Sequence, residues 1–116
     1  MKVLKFGGTS VGTPQRMKEV VKLINNGEQK IVVLSAMSGT TNQLYEIDDY
    51  LHKKNPVGAN ENINKLEEKY LQHVEDLYTT DEYKKQATDF LKEEFDYIRS
   101  FTKGIFTMFE EKIIVG

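Results

Sequence analysis

The chain reads as α/β, with strand, helix and strand in its first third and helix alone thereafter. Three observations carry that reading. The apolar start Val3-Leu4 runs into a cation and a glycine pair, Lys5-Phe6-Gly7-Gly8. Lys30-Ile31-Val32-Val33-Leu34-Ser35 is a continuous apolar run of strand length, as expected of a strand covered on both sides in a parallel sheet. Beyond Asn55-Pro56-Val57-Gly58, apolar residues recur only at helical spacing.

Each element follows from local chemistry. Residues 2 to 6 form a short strand. Pro14 to Asn26 is a helix, with Thr13 as N-cap, Pro14 at the first helical position and Gly27 after its end. Met17, Val20, Val21 and Ile24 share one face. Strand, helix and strand in that order make a right-handed crossover unit. Ser38-Gly39 gives a turn, and Thr40 with Gln43 makes a capping box that opens a helix through about Lys54, with Leu44, Ile47 and Leu51 on its buried side. The break at Asn55–Gly58 divides a strand-helix-strand-helix part, residues 1–56, from a mainly helical segment, residues 57–116.

In that segment Ile63, Leu66, Tyr70, Val74, Leu77 and Tyr78 form one stripe. A second capping box, Thr79 with Glu82, precedes Tyr83, Ala87, Phe90, Leu91, Ile98 and Phe101. Two antiparallel amphipathic helices result, their aromatic stripe serving packing and their tyrosines placed at core edges with the hydroxyl in water. Gly104 interrupts before Ile105-Phe106 and the last run, Ile113-Ile114-Val115. Two strands are too few for a covered sheet, so the chain is expected to be the N-terminal piece of a larger α/β domain, and its uncovered sheet edges leave homo-oligomer formation open.

Composition excludes several classes. The 116 residues are 39% hydrophobic and 29% charged, ordinary for one small domain. A net charge of −2 without a basic cluster argues against nucleic acid or an anionic membrane as partner. With no cysteine there is neither a disulfide framework nor a thiolate nucleophile. No apolar run approaches the roughly 20 residues that cross a bilayer, and no signal-peptide pattern opens the chain, so the cytoplasm follows by default. His52 and His73 stand alone on helices, surface or boundary residues rather than metal ligands, and no metal site is expected.

Two clusters carry chemistry. Lys5-Phe6-Gly7-Gly8-Thr9-Ser10-Val11-Gly12 puts a cation at a strand end and then bares the backbone. The glycines, free to take positive φ, let N–H groups approach an anion beside the Lys5 charge and the Thr9 and Ser10 hydroxyls. Its lysine precedes the glycines, unlike the P-loop pattern. Ser35-Ala36-Met37-Ser38-Gly39-Thr40-Thr41-Asn42 lies at the end of the second strand and the start of the next helix, where open α/β sheets bind ligands and a helix dipole favours anions. Plain helix capping by Thr40 and Thr41 is the alternative there.

The octet K-F-G-G-T-S-V-G strongly resembles the opening signature of aspartate kinases, within the amino acid kinase family. The run V-V-L-S-A-M-S-G-T-T-N resembles that family's second motif, in the right order. The resemblance is specific over residues 2 to 12 and 31 to 42 and covers the rest in layout. It implies a three-layer αβα, carbamate kinase-like fold and ATP-dependent phosphorylation of the L-aspartate side chain, with Mg²⁺ as companion ion. Lys5 would be the catalytic cation; Lys5, Gly7 and Gly8 would hold the transferring phosphate, with Thr9 and Ser10 close by. Ser35 would lie against the nucleotide phosphates, and Thr41 would contact the amino acid. Family members are longer, with a Gly-Glu pair after the helical segment; Gly116 is, or just precedes, that glycine, and the 116 residues alone are expected to be inactive. A sister kinase acting on glutamate, acetylglutamate or a nucleotide remains an alternative, as does a noncatalytic role in which the helical part from about Asn60 to Glu111 is an interaction module.

Overall fold

A computed structural model describes the backbone of residues 1–115 and the side chains of residues 1–110. Strand β1 (Lys2–Phe6) leads through the glycine loop to helix α1 (Pro14–Ile24) and back to strand β2 (Lys30–Leu34). Three helices follow: α2 (Thr40–His52), α3 (Pro56–Leu77) and α4 (Asp81–Val115). The protein is therefore mostly helical, with a small parallel sheet in which Lys2 pairs Lys30 and Phe6 pairs Leu34.

Local chemistry starts α1 as the sequence indicates. Thr13 is extended, and its hydroxyl accepts from the Arg16 N–H at 3.1 Å, while Pro14 fills the first turn. The expected capping box at Thr40 and Gln43 does not form. Gly39, at φ 88°, is the N-cap of α2 and no side chain caps it. The Thr40 hydroxyl is instead buried against the Tyr70 hydroxyl at 2.6 Å, a tertiary partner that outcompetes the local one. The same bond removes Tyr70 from the expected class of wet tyrosine hydroxyls, and Tyr45 and Tyr97 lie largely in solvent.

The break after α2 is narrower than the sequence suggests. Lys54 takes φ 56°, and Asn55 caps α3 by accepting from the Gly58 N–H at 3.0 Å, so helix resumes at Pro56. Gly58 is required where it stands: a Cβ there would come within 2.5 Å of the Tyr50 ring, which packs against the start of α3. Helix α4 starts at Asp81, one position too late for a capping box at Thr79. Gly104 does not interrupt it. A single glycine costs a helix about 1 kcal/mol relative to alanine, and burial of Phe95 and Thr102 with half-burial of Ile98 and Ile105 on one side of α4 offsets that. Ile113-Ile114-Val115 continues the helix, and Gly116 lies outside the described residues.

The core is helical. Ile47 from α2, Ile63 and Leu66 from α3 and Phe95 from α4 are buried together, with Tyr70, Leu91 and Ile98 packed around them. Leu44, expected inside, is exposed. α3 and α4 run antiparallel, held at their mutual surface by Arg99, whose guanidinium donates to both Glu67 carboxylate oxygens and to Asn64. The sheet departs from the expectation of two covered faces. Leu4, Phe6 and Val32 are half-buried, whereas Val3, Ile31 and Val33 on the opposite face are 65%, 50% and 45% exposed. Helix α1 borders the face of Phe6 and Leu34 while α2, α3 and α4 pack on one another, so among the described residues no layer covers the other face.

Candidate functional site

Because β1 and β2 are parallel and in register, both end at the same edge of the sheet, and the loops 7–13 and 35–39 leave it side by side. Backbone bonds lock them together. The Ser35 N–H donates to the Phe6 carbonyl at 3.0 Å and the Ser38 N–H to the Gly8 carbonyl at 3.1 Å. Within the first loop, the Ser10 N–H reaches the Gly7 carbonyl at 3.0 Å and the Gly12 N–H the Thr9 carbonyl at 3.3 Å.

Gly8 and Gly12 are demanded by close approach. A Cβ on Gly8 would sit 2.9 Å from the Ala36 carbonyl oxygen, and one on Gly12 would sit 3.0 Å from the Gly8 carbonyl oxygen. The expectation that this glycine pair takes positive φ is not met; among the described glycines only Gly27 and Gly39 do. Nothing lies within 4 Å of the place a Gly7 Cβ would occupy, so bare backbone faces open space there. Gly8 serves the fold and Gly7 serves the opening.

The edge is electropositive by composition. Residues 7–13 and 35–41 contain no carboxylate, whereas three cations attend them. Lys5 lies one residue before the end of β1 on the exposed face, and no ion pair among the described residues engages it. Arg16 donates to the Thr9 carbonyl at 3.5 Å, and Lys69 to the Ser38 carbonyl at 2.9 Å. Helix α2 begins at the same place with no side chain on its first N–H groups, which leaves its positive end receptive to an anion.

Gly7, Gly8, Thr9, Ser10 and Ser35 thus fall within the two adjoining loops, with Lys5 on the strand beneath. Thr41 stands apart in one respect. It is exposed in the first turn of α2 and shares a shallow depression of about 300 Å³ with Leu44, Tyr45 and Asp48. Ser35 also borders a cavity of about 740 Å³ whose walls are mostly apolar, among them Val11, Met17, Val20, Leu34 and Leu77, with Lys18 and Lys22 at its margin. Such predominantly apolar walls suit packing better than phosphate.

Sequence reading missed the contribution of α3. Lys69, Tyr70 and His73 stand within little more than one turn and reach the Ser38 carbonyl, the Thr40 hydroxyl and the neighbourhood of Gly12. Burial, and then the Lys69 charge, push the His73 pKa down; Asp76 and the Gly12 backbone oppose this more weakly. Its Nε2 is buried without a partner. The contacts lie some 30 residues apart in sequence, and no local pattern announces them. Among the described residues no group of three histidine or acidic side chains could hold a metal ion, and no helix is long and apolar enough to cross a membrane.

A parallel strand pair thus brings two adjoining loops with bare backbone and cations to one edge, and the chain belongs to the amino acid kinase family, which it matches over residues 1–111. Over shorter stretches it is similar to aspartokinases. It is 47% identical over 49 residues to an aspartate kinase of Stutzerimonas stutzeri, covering 39% of this chain and 12% of that protein. It is 54% identical over 44 residues to the chloroplastic aspartokinase 2 of Arabidopsis thaliana, covering 36% of this chain and 8% of that protein. It is 49% identical over 47 residues to a bifunctional aspartokinase/homoserine dehydrogenase of the same plant, covering 39% of this chain and 5% of that protein. The chain spans only a small part of the length of these relatives.

Proposed function

We propose that these residues are the phosphate-holding part of an aspartate kinase, which transfers the γ-phosphoryl group of ATP to the side-chain carboxylate of L-aspartate, giving 4-phospho-L-aspartate for lysine, threonine and methionine synthesis. In this reading the complete kinase domain has the three-layer αβα architecture. The observation that carries it is the joining of the two loops side by side at one sheet edge, locked from Ser38 to Gly8, with Lys5 on the strand beneath and no carboxylate in either. The similarity to aspartokinases directs it to aspartate.

The chemistry needs no strong base. The aspartate side chain, with a pKa of about 3.9, is already ionised at neutral pH. One of its oxygens attacks the γ-phosphorus, and the bond from that phosphorus to the β-bridging oxygen breaks, with its electron pair leaving on ADP. What the protein must supply is neutralisation of charge and alignment. The Lys5 ammonium and the bare backbone at Gly7 would hold the transferring group, with Thr9 and Ser10 adding hydroxyl donors. Ser35 would lie against the nucleotide phosphates, and the Thr41 hydroxyl would orient the amino acid at the start of α2. The donor set fits phosphate. Among the described residues no group of three carboxylates or histidines forms a cage for Mg²⁺, an ion that kinase sites hold largely through the substrate phosphates, and no step is assigned to a metal here. The 116 residues alone are expected not to turn over.

The test is ADP release by the full-length enzyme carrying this sequence, with aspartate, glutamate and acetylglutamate offered in turn. Aspartate should be the acceptor and the other two should give background rates. Turnover with glutamate or acetylglutamate in preference would replace the reading with that of a sister kinase.

A further inference from the structure

Lys69 and Tyr70, neighbours on α3, hold Ser38 and Thr40, the residues on either side of Gly39. The Lys69 ammonium donates to the Ser38 carbonyl at 2.9 Å, and the Tyr70 and Thr40 hydroxyls are hydrogen-bonded at 2.6 Å. Gly39 between them is the point where this loop is free to swing. It is the N-cap of α2, takes φ 88° and has no side chain to fasten it. A Cβ there would come within 3.1 Å of the Lys69 nitrogen, so the glycine also leaves room for the lysine that holds its neighbour.

The core uses the Tyr70 ring, which stands 6.1 Å from the Phe95 ring, centre to centre, and packs against the buried cluster. The hydroxyl has other work. Thr40 is only 7% exposed, and a buried hydroxyl is costly unless it is bonded, a cost that valine would not carry. What the hydroxyl pair adds is direction, since a hydrogen bond fixes distance and angle where an apolar contact lets one surface slide on another. The bond therefore sets the first turn of α2 against the core, and the next residue is Thr41, exposed toward solvent. Because the Ser38 N–H is tied to the Gly8 carbonyl at 3.1 Å, the same hold sets that turn against the glycine loop.

We propose, resting on the kinase reading, that Tyr70 is a positioning residue for phosphoryl transfer. Acting through Thr40, it places the Thr41 hydroxyl and the uncapped N–H groups of α2 so that the amino acid's carboxylate meets the phosphate held beside Lys5, and Lys69 is the second hold on the same turn. Misplacement by about 1 Å costs on the order of 10²-fold in such a reaction, even when its cause lies away from the chemistry.

Steady-state kinetics of the full-length enzyme test this. Tyr70→Phe and Thr40→Val each remove one hydroxyl, keep the shape and change no charge, so neither alters electrostatic attraction of the substrates. Each should raise the KM for aspartate at least about 10-fold and leave the KM for ATP within about twofold. The double variant should be no worse than either single one, because all three break the same bond. Arg99→Ala, which removes an α3–α4 tie that takes no part in this turn, should lower the melting temperature and leave the KM for aspartate unchanged. Lys5→Ala, run alongside, reports on the kinase reading itself. An inactive Lys5→Ala beside a Tyr70→Phe whose KM for aspartate equals that of wild type would overturn the inference and leave the reading standing; absence of aspartate turnover in wild type would remove both. Equal rises in the two KM values, single effects that multiply in the double variant, or the same rise in Arg99→Ala would each show Tyr70 to be structural only.

Discussion

Gly7 and Gly8 are adjacent and identical, yet the structure gives them different work, and substitution separates the two. Gly8→Ala would press a methyl group to 2.9 Å from the Ala36 carbonyl oxygen, forcing the loops apart. It should destabilise by about 1–3 kcal/mol, as overpacking does. Gly7→Ala meets nothing within 4 Å and should change stability by no more than about 0.5 kcal/mol. Urea unfolding of the two variants checks both. His73 supplies a pH signature. Its pKa is lowered in the fold, so between that value and the ordinary 6.5 the unfolded chain binds more protons. Stability therefore falls as pH drops below 6.5 and the whole penalty is present below the folded value. The exposed His52, raised chiefly by its bond to the Asp48 carbonyl, contributes weakly in the opposite direction. Acidification from pH 8 to pH 5 should lower the urea midpoint less in His73→Gln than in the parent.

At the scale of elements, the sequence was legible wherever a rule acts within one turn. Thr13 and Pro14 start α1, and the apolar run from Lys30 makes β2, with limits close to those expected. The same Pro-at-N1 rule applied to Asn55-Pro56 would have started α3 correctly. Thr40 and Gly104 were misread for another reason: the deciding partner lies elsewhere in the chain. A capping box is worth less to Thr40 than a buried bond to Tyr70, and a helix tolerates one glycine when one side is packed. Site legibility divides in the same way. The adjoining loops followed from motif and strand order, whereas Lys69, Tyr70 and His73 needed the packing of α3 to be known. That α3–α4 packing has its own test. Arg99→Ala, which leaves Glu67 and Asn64 without their shared donor, should destabilise by about 1–2 kcal/mol. Asn64→Ala should do less, since the Arg99–Glu67 pair survives it.

For the whole molecule, the strands bring two loops to one edge, α3 buttresses them, and α2–α4 supply a core the two-stranded sheet could not form by itself. The covered-sheet expectation failed because the residues on β1 and β2 were read correctly as apolar, while the layers that could cover both faces are not among the four helices described. The central proposal, that the two adjoining loops hold a transferring phosphate, is tested most directly by aspartate-dependent ADP release in the full-length enzyme. Wild type would be compared with Lys5→Ala and Gly7→Ala while the melting temperature is followed in parallel. The account predicts a loss of at least about 10²-fold for Lys5→Ala, a marked loss for Gly7→Ala, and melting temperatures unchanged in both. Turnover untouched by Lys5→Ala, or a loss that tracks lowered stability, would contradict it.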